Sequence, residues 1–324
     1  MIRVVGANPA MDRISTWPPL RLGDVNRAGH VAVVPGGKGF NVARAAIRLG
    51  SAAAAYGFLG GPVGQSLRGM IAIDGVVDRH TDIAAGTRVC FIVVEPDPGR
   101  TTVLNEPGPP VTSDELAGFM ATVAADCQPE DILVLSGSLP DSVDPAVAAE
   151  VISMGNAAGA RTCSDIHGAS LREVVGVHPW MLKCNRDELL GLALGRPPTA
   201  TDLDRHRARP LAAIATEMLE LRGRGIEAVV VTLGAQGALL ADAAGVCHAN
   251  VPRVEVVNPT GSGDLLLAGL VVGMERGLSL REALVLGAAC GTAGATYLLP
   301  ELPPGFDPDV WMPRIRVETL EPGV

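Results

Sequence analysis

Lys38 and Lys183 are the only lysines among 26 basic side chains, and each sits in a segment suited to holding phosphate. Lys38 lies in Pro35-Gly36-Gly37-Lys38-Gly39-Phe40-Asn41, where glycines bare the backbone, and Lys183 precedes Asn185-Arg186-Asp187-Glu188. Lysine carries a compact charge on a flexible stem, and arginine's planar fork does not replace it at such a point. A third segment, Asn258-Pro259-Thr260-Gly261-Ser262-Gly263-Asp264, runs directly into the apolar stretch 265–273. Gly261, Ser262 and Gly263 at the start of a buried helix would expose N–H groups at its positive end, which is an anion site. Asp264 beside that cradle is poorly placed to bind phosphate and well placed to take a proton from an attacking hydroxyl. It also fits a helix-capping aspartate. Asn185 and Glu188, three apart, offer hard oxygens for a polyphosphate carrying Mg²⁺, with Glu188 meeting the hydrated metal through water. The same pair fits a solvated helix start.

Other chemistries are excluded by spacing. No Ser or Thr follows Lys38 and the leading glycine of a Walker loop is missing. No G-x-G-x-x-G occurs, and Gly64-Gln65-Ser66-Leu67-Arg68-Gly69 is one residue too long for a hydrolase nucleophile elbow. Thr232-Leu233-Gly234-Ala235-Gln236-Gly237 ends an apolar run with glycines that let a flat ring approach backbone.

Positioning these groups requires a sheet. Apolar runs at 2–5, 53–58, 132–135, 162–165, 181–183 and 228–233 alternate with helical patterns, which predicts a mainly parallel sheet with helices on both faces. Val42, Ala45, Ala46 and Leu49 share one face of a helix closed by Gly50, so the glycine cluster sits at its N-terminus. Thr112 with Glu115, and Ser279 with Glu282, are spaced for reciprocal capping boxes. Segments 13–34 and 87–104 instead alternate without an intervening helix and read as antiparallel strands of a small separate sheet. The division is therefore a body of 1–12, 35–86 and 105–324 with 13–34 and 87–104 inserted as a lid.

Composition narrows the class. A net charge of −9 over 324 residues, with no basic stripe, excludes nucleic acid as a partner. The six cysteines stand apart without a C-x-x-C, as reduced core thiols would. The charge-free run 283–300 is diluted by Gly and Thr and reads as a helix buried against a sheet, not a membrane span. With no apolar run for a signal peptide at the N-terminus, the expected location is the cytoplasm.

Taken in order, Gly36-Gly37-Lys38-Gly39-Phe40-Asn41, Ser136-Gly137-Ser138-Leu139-Pro140, Lys183 to Glu188, Thr232 to Gly237 and Thr260 to Asp264 resemble the PfkB, ribokinase-like sugar kinases over nearly the whole chain. Asn8-Pro9-Ala10-Met11-Asp12 and Asn105-Glu106-Pro107-Gly108-Pro109 resemble the phosphosugar branch, the 1-phosphofructokinases and tagatose-6-phosphate kinases. The resemblance implies a three-layer α/β/α domain with a β-sheet lid, and phosphoryl transfer from ATP with Mg²⁺ to a ketose phosphate. Fructose 1-phosphate is the first expectation, with tagatose 6-phosphate and fructose 6-phosphate as alternatives. A catalytically silent nucleotide or sugar-phosphate sensor on the same fold is the alternative of another class. By similarity Asp264 is the catalytic base under the Gly261, Ser262 and Gly263 anion hole. Asp12, Gly36, Gly37, Lys38, Asn41, Arg88, Asn105 and Ser138 fall to the phosphosugar, and Arg27 reaches it from the lid. Lys183, Asn185 and Glu188 fall to the nucleotide phosphates and metal, and Thr232, Gly234 and Gly237 to the nucleoside. A homodimer joined through the lids is implied as well. Cys184, Pro35, Leu265 and the turn Ser164-Asp165-Ile166-His167-Gly168 depart from the family pattern.

Overall fold

The computed structural model describes residues 1–97 and 99–321. Its main sheet has ten strands, in the order Arg316–Thr319, Gly245–Asn250, Ala238–Asp242, Ala228–Thr232, Met181–Asn185, Arg161–Ile166, Ile132–Gly137, Ile2–Val5, Ala53–Tyr56 and Val77–Asp78. From Ala228–Thr232 to Val77–Asp78 the pairing is parallel. On the other side of Ala228–Thr232 it turns antiparallel.

Successive strand residues point to opposite faces, and the two faces become two cores. Val4, Val134, Cys163, Met181 and Val230 pack under helices Lys38–Arg48, Ser262–Glu275 and Leu280–Ala295. Val5, Leu133, Leu135, Leu182 and Val231 pack under Ser113–Asp126, Ala146–Ala157, Gly168–Gly176 and Leu211–Arg222. The result is the three-layer α/β/α body. Each predicted strand is present, although the run 53–58 breaks at Gly57, beyond which Phe58–Leu59 pairs with Thr81–Asp82. Both predicted capping boxes form. Most of the charge-free run lies in helix Leu280–Ala295, which packs against Ser262–Glu275 and three strands of the sheet, Ala238–Asp242, Gly245–Asn250 and Arg316–Thr319. No helix among the described residues is long and apolar enough to cross a membrane. The six cysteines are free and buried.

A second sheet lies over the body, in the order His30–Gly36, Ala10–Thr16, Arg88–Glu95 and Arg100–Asn105. Its outer pairs are antiparallel, as expected, but the central pair is parallel. The chain passes through helices Lys38–Arg48 and Gly61–Ile73 between those central strands, and so leaves the body twice in the same direction. The first of them begins at Ala10, so Ala10 to Asp12 run in the lid sheet. Pro35 lies on the edge strand, where a missing N–H costs no ladder bond. Ile14, Val34, Ile92 and Val94 form the lid's underside and seat on Leu298 and Leu299.

Candidate active site

Three neighbouring strands switch from apolar to polar at their C-terminal ends on one face. Val134 is followed at the next inward position by Ser136, Cys163 by Asp165, and Met181 by Lys183. Ser136 pairs in register with Asp165, and the pairing of Ser164 with Leu182 brings Asp165 beside Lys183. Helices Lys38–Arg48 and Ser262–Glu275 pack on this same face and aim their N-termini at that row. Strand C-termini with converging helix N-termini are where open α/β sheets bind ligands.

Asp165 organises the row. It is fully buried and accepts hydrogen bonds from Lys183 Nζ at 2.8 Å and Lys38 Nζ at 3.1 Å. Burial alone would raise its carboxyl, but the two ammonium groups override that and hold it below the usual range. Burial disfavours the charged Lys38 as well, yet the carboxylates of Asp165, Asp264 and Glu188 raise its pKa. The two lysines, expected to serve separate phosphates, thus stand on one anion.

Asp264 is in the first turn of its helix but does not cap it. Gly261 takes the N-cap position at φ 83, a left-handed conformation that suits glycine, with no side-chain cap. The Asp264 carboxylate is free to turn into the cleft and accepts a hydrogen bond from Asn41 Nδ2 at 2.8 Å. Burial pushes its pKa up to about 6, with the Asp165 charge adding while Lys38, Lys183 and Asn41 oppose. Of the expected anion hole, the Ser262 amide donates to Pro259 O and the Asp264 amide to Gly261 O. The Gly261 and Gly263 amides have no acceptor among the described residues and form the open part of the cradle. Gly263 approaches Lys183 so closely that a Cβ there would lie 3.1 Å from Nζ.

A cavity of about 500 Å³ spreads from this centre under the lid, lined by Asp12, Gly37, Lys38, Asn41, Arg88, Asn105 and Ser138. Burial, with the nearby Asp264, pushes Asp12 up to about 7 against the pull of Arg88. Arg88 donates to Asn8 O at 2.9 Å and Glu106 O at 3.0 Å, and Asn8 Nδ2 donates to Ser138 Oγ at 3.1 Å. Gly36 stands behind the wall, where its bare Cα leaves room for the Asp12 carboxylate. Arg27 is exposed in the loop between lid strands and does not line the cavity.

A second cavity of about 540 Å³ is walled by Thr232, Gly234, Gly237 and the apolar Val251, Val254 and Leu266. Thr232 and Gly263 belong to both cavities, so the two meet at the anion cradle. Ser262 faces this second space with a buried Oγ that lacks a partner among the described residues.

Asn185 and Glu188 cap helix Arg186–Leu194. Asn185 Oδ1 accepts from the amides of Asp187 and Glu188, and Glu188 Oε2 accepts from the Asn185 amide at 2.7 Å. Each therefore brings one fewer free oxygen than its position suggested, and Asn185 alone lines the cavity. Among the described residues no group of three or more His, Cys, Asp or Glu could hold a metal. The remaining Glu188 oxygen fits a cation held mostly by phosphate and water, as Mg²⁺ is held, and not a protein cage.

The departures from the family pattern have local accommodations. Leu265 is buried, and its Cδ1 would lie 2.1 Å from a Cβ at Gly294, so the facing helix has made way for it. His167 is exposed at the N-cap of Gly168–Gly176 and lines the first cavity. Sequence reasoning assigned no role to Asp165, His80 or Asn8. The in-register polar row would have found Asp165, but register is visible only after folding.

Residues 2–300 match the family model described as pfkB family carbohydrate kinase. The 1-phosphofructokinase of Bacillus subtilis (strain 168) is 31% identical over 295 residues, covering 91% of this chain and 92% of that protein. Phosphofructokinase-2 from Escherichia coli, solved in complex with fructose-6-phosphate, is 27% identical with a TM-score of 0.79, covering 91% of this chain and 93% of that one. Its tetrameric inhibited form matches with the same values. Ribokinase from Thermotoga maritima shares the fold at a TM-score of 0.70 and 21% identity, over 93% of this chain and 94% of that one.

Proposed function

Because this chain belongs to the pfkB family of carbohydrate kinases, and is therefore a sugar kinase, we propose that it transfers the γ-phosphate of ATP to a primary hydroxyl of fructose 1-phosphate. The observation that carries this reading is the cavity itself, where a buried carboxylate raised to about 6 adjoins two ammonium groups and open helix amides. Asp264 takes the proton of the acceptor hydroxyl, whose oxygen then attacks the phosphorus in line. The Gly261 and Gly263 amides, with Lys183 and Lys38 held on Asp165, face the charge that spreads over the transferring phosphoryl group. Such a transfer asks for positioning and electrostatics more than covalent chemistry. Arg88 and the N-terminus of Lys38–Arg48 supply the positive surface for the acceptor's own phosphate. The second cavity takes the nucleoside, with Gly234 and Gly237 admitting the base. When bound, Mg²⁺ would neutralise phosphate charge, held by the phosphates and through water by Glu188.

Fructose 6-phosphate is the second reading, favoured by the likeness to the Escherichia coli enzyme bound to that sugar. An ADP-release assay across fructose 1-phosphate, fructose 6-phosphate, tagatose 6-phosphate and unphosphorylated sugars decides. Fructose 1-phosphate is expected to give the highest kcat/KM. Comparable values on the unphosphorylated sugars would reject a phosphosugar acceptor, and ligand binding without ADP release would turn the reading to a sensor.

The lid's upper face supports a homodimer. Val33, Arg13, Phe91 and Leu104 lie in register across its four strands, opposite the face that packs on the body. Val33 is 41% exposed, Phe91 40% and Leu104 55%, so the row presents three uncovered apolar side chains around the exposed Arg13. Replacing Val33 and Phe91 together with Asp should convert a dimer to a monomer in sedimentation analysis. A wild-type chain that sediments as a monomer would remove this assignment. The free buried thiols fit the reducing cytoplasm as the place of action.

A further inference from the structure

His80 lines the acceptor cavity and belongs to none of the groups given a task above. It sits where the sheet edge breaks, between Val77–Asp78 and Thr81–Asp82. Its side chain is only 2% exposed. The ring is held by its Nδ1 edge and by one face. Nδ1 lies 2.8 Å from Asp78 Oδ1, which also accepts the His80 amide at 3.0 Å. Arg68 pairs with Asp78 and donates to His80 O at 3.2 Å. The imidazole packs on Phe40, ring centroids 5.0 Å apart, and Phe40 is flanked by Lys38 and Asn41 of the site.

This arrangement fixes the tautomer. Burial lowers the His80 pKa against the pull of Asp78, so the ring is neutral. Burial alone would raise Asp78, but its hydrogen bonds with His80 and from Arg68 hold it well below the usual carboxylate range. An ionised Asp78 can only accept, so the single ring proton is on Nδ1. Nε2 is left as a lone-pair acceptor with no partner among the described residues, in a ring that lines the cavity.

We propose that His80 selects the acceptor by receiving, at Nε2, a hydrogen bond from a non-reacting hydroxyl of the sugar. This rests on the sugar phosphate reading above. A buried acceptor left empty penalises any sugar that lacks the matching hydroxyl or points it elsewhere, which is how a polar pocket discriminates more sharply than an apolar one. Asp78 and Arg68 act as positioning residues, since they set which nitrogen carries the proton and hold the ring's plane.

The test compares wild type, His80→Phe and His80→Gln by calorimetric binding of four sugars. These are fructose 1-phosphate, its 3-deoxy and 4-deoxy analogues, and 2,5-anhydromannitol 1-phosphate, which lacks the anomeric hydroxyl. Phe keeps the packing on Phe40 without the acceptor, and Gln restores an acceptor near the Nε2 position. In wild type one analogue should bind roughly 5- to 100-fold more weakly than the parent. His80→Phe should lose that same factor on the parent but bind that one analogue as wild type does, and His80→Gln should recover part of the difference. Weakening of all four ligands alike in His80→Phe, or of none, overturns the proposal. So does a His80→Phe chain that fails to fold while His80→Gln shows no preference among the four. If wild type binds fructose 1-phosphate but releases no ADP with it, the kinase reading falls and the binding comparison still judges His80. If wild type binds none of the four sugars, both readings fall.

Discussion

Asp264→Asn should lower kcat by roughly 10²- to 10⁴-fold, the usual worth of a positioned general base, while ATP still binds. The substitution keeps the size of the side chain and a group able to meet Asn41, so the loss reports on the proton acceptor and not on packing. The pH dependence follows from the same carboxylate. A base works only when ionised, so with Asp264 raised to about 6 the wild-type rate should fall as pH drops through that value. Asp12, raised to about 7 and coupled to Asp264 by charge, makes the acid limb a property of the pair. In Asp264→Asn the part of the limb that belongs to Asp264 should vanish. Steady-state ADP release from pH 5 to 9, with calorimetry of ATP binding, checks both; turnover near the wild-type rate would end the assignment of the base.

Asp165→Asn should damage stability and turnover together. It leaves Lys183, 4% exposed, and Lys38 without their common anion, and breaking a buried ion pair from one side costs about 3–5 kcal/mol. Misplacing two cations at the transfer point should lower kcat by about 10²-fold or more. The depressed carboxyl of Asp165 contributes stability above the unfolded carboxylate range, which is lost as pH falls through its lower folded value. The variant should lack that acid sensitivity. Under the proposed function the same cations meet phosphate, so ATP should raise the melting temperature of the variant more than that of wild type. A variant with wild-type melting temperature and kcat would show that the shared pairing does no work.

Much of the fold could be read before it was seen, because strand runs, capping boxes and the Lys38–Arg48 face are local patterns. Asp264 could be read too, since Gly261 and Gly263 beside it advertise a helix start. What escaped reading depended on register or on long separation. Lys38 and Asp165 are 127 positions apart and meet only through the crossover of helix and sheet. The parallel centre of the lid was missed for the same reason, as its two strands are joined through half a layer of the body. The spacing of Asn185 and Glu188 suits both a metal-bound polyphosphate and a helix start, and spacing alone does not separate the two; part of their oxygen capacity closes the helix end.

Leu265 and Gly294 carry a consequence for how the chain can vary. A Cβ at 294 would sit 2.1 Å from Leu265 Cδ1, so a larger residue there requires the Leu265 side chain to turn away. The single substitutions open to position 294 therefore depend on the side chain at 265, and those at 265 on the bare backbone at 294.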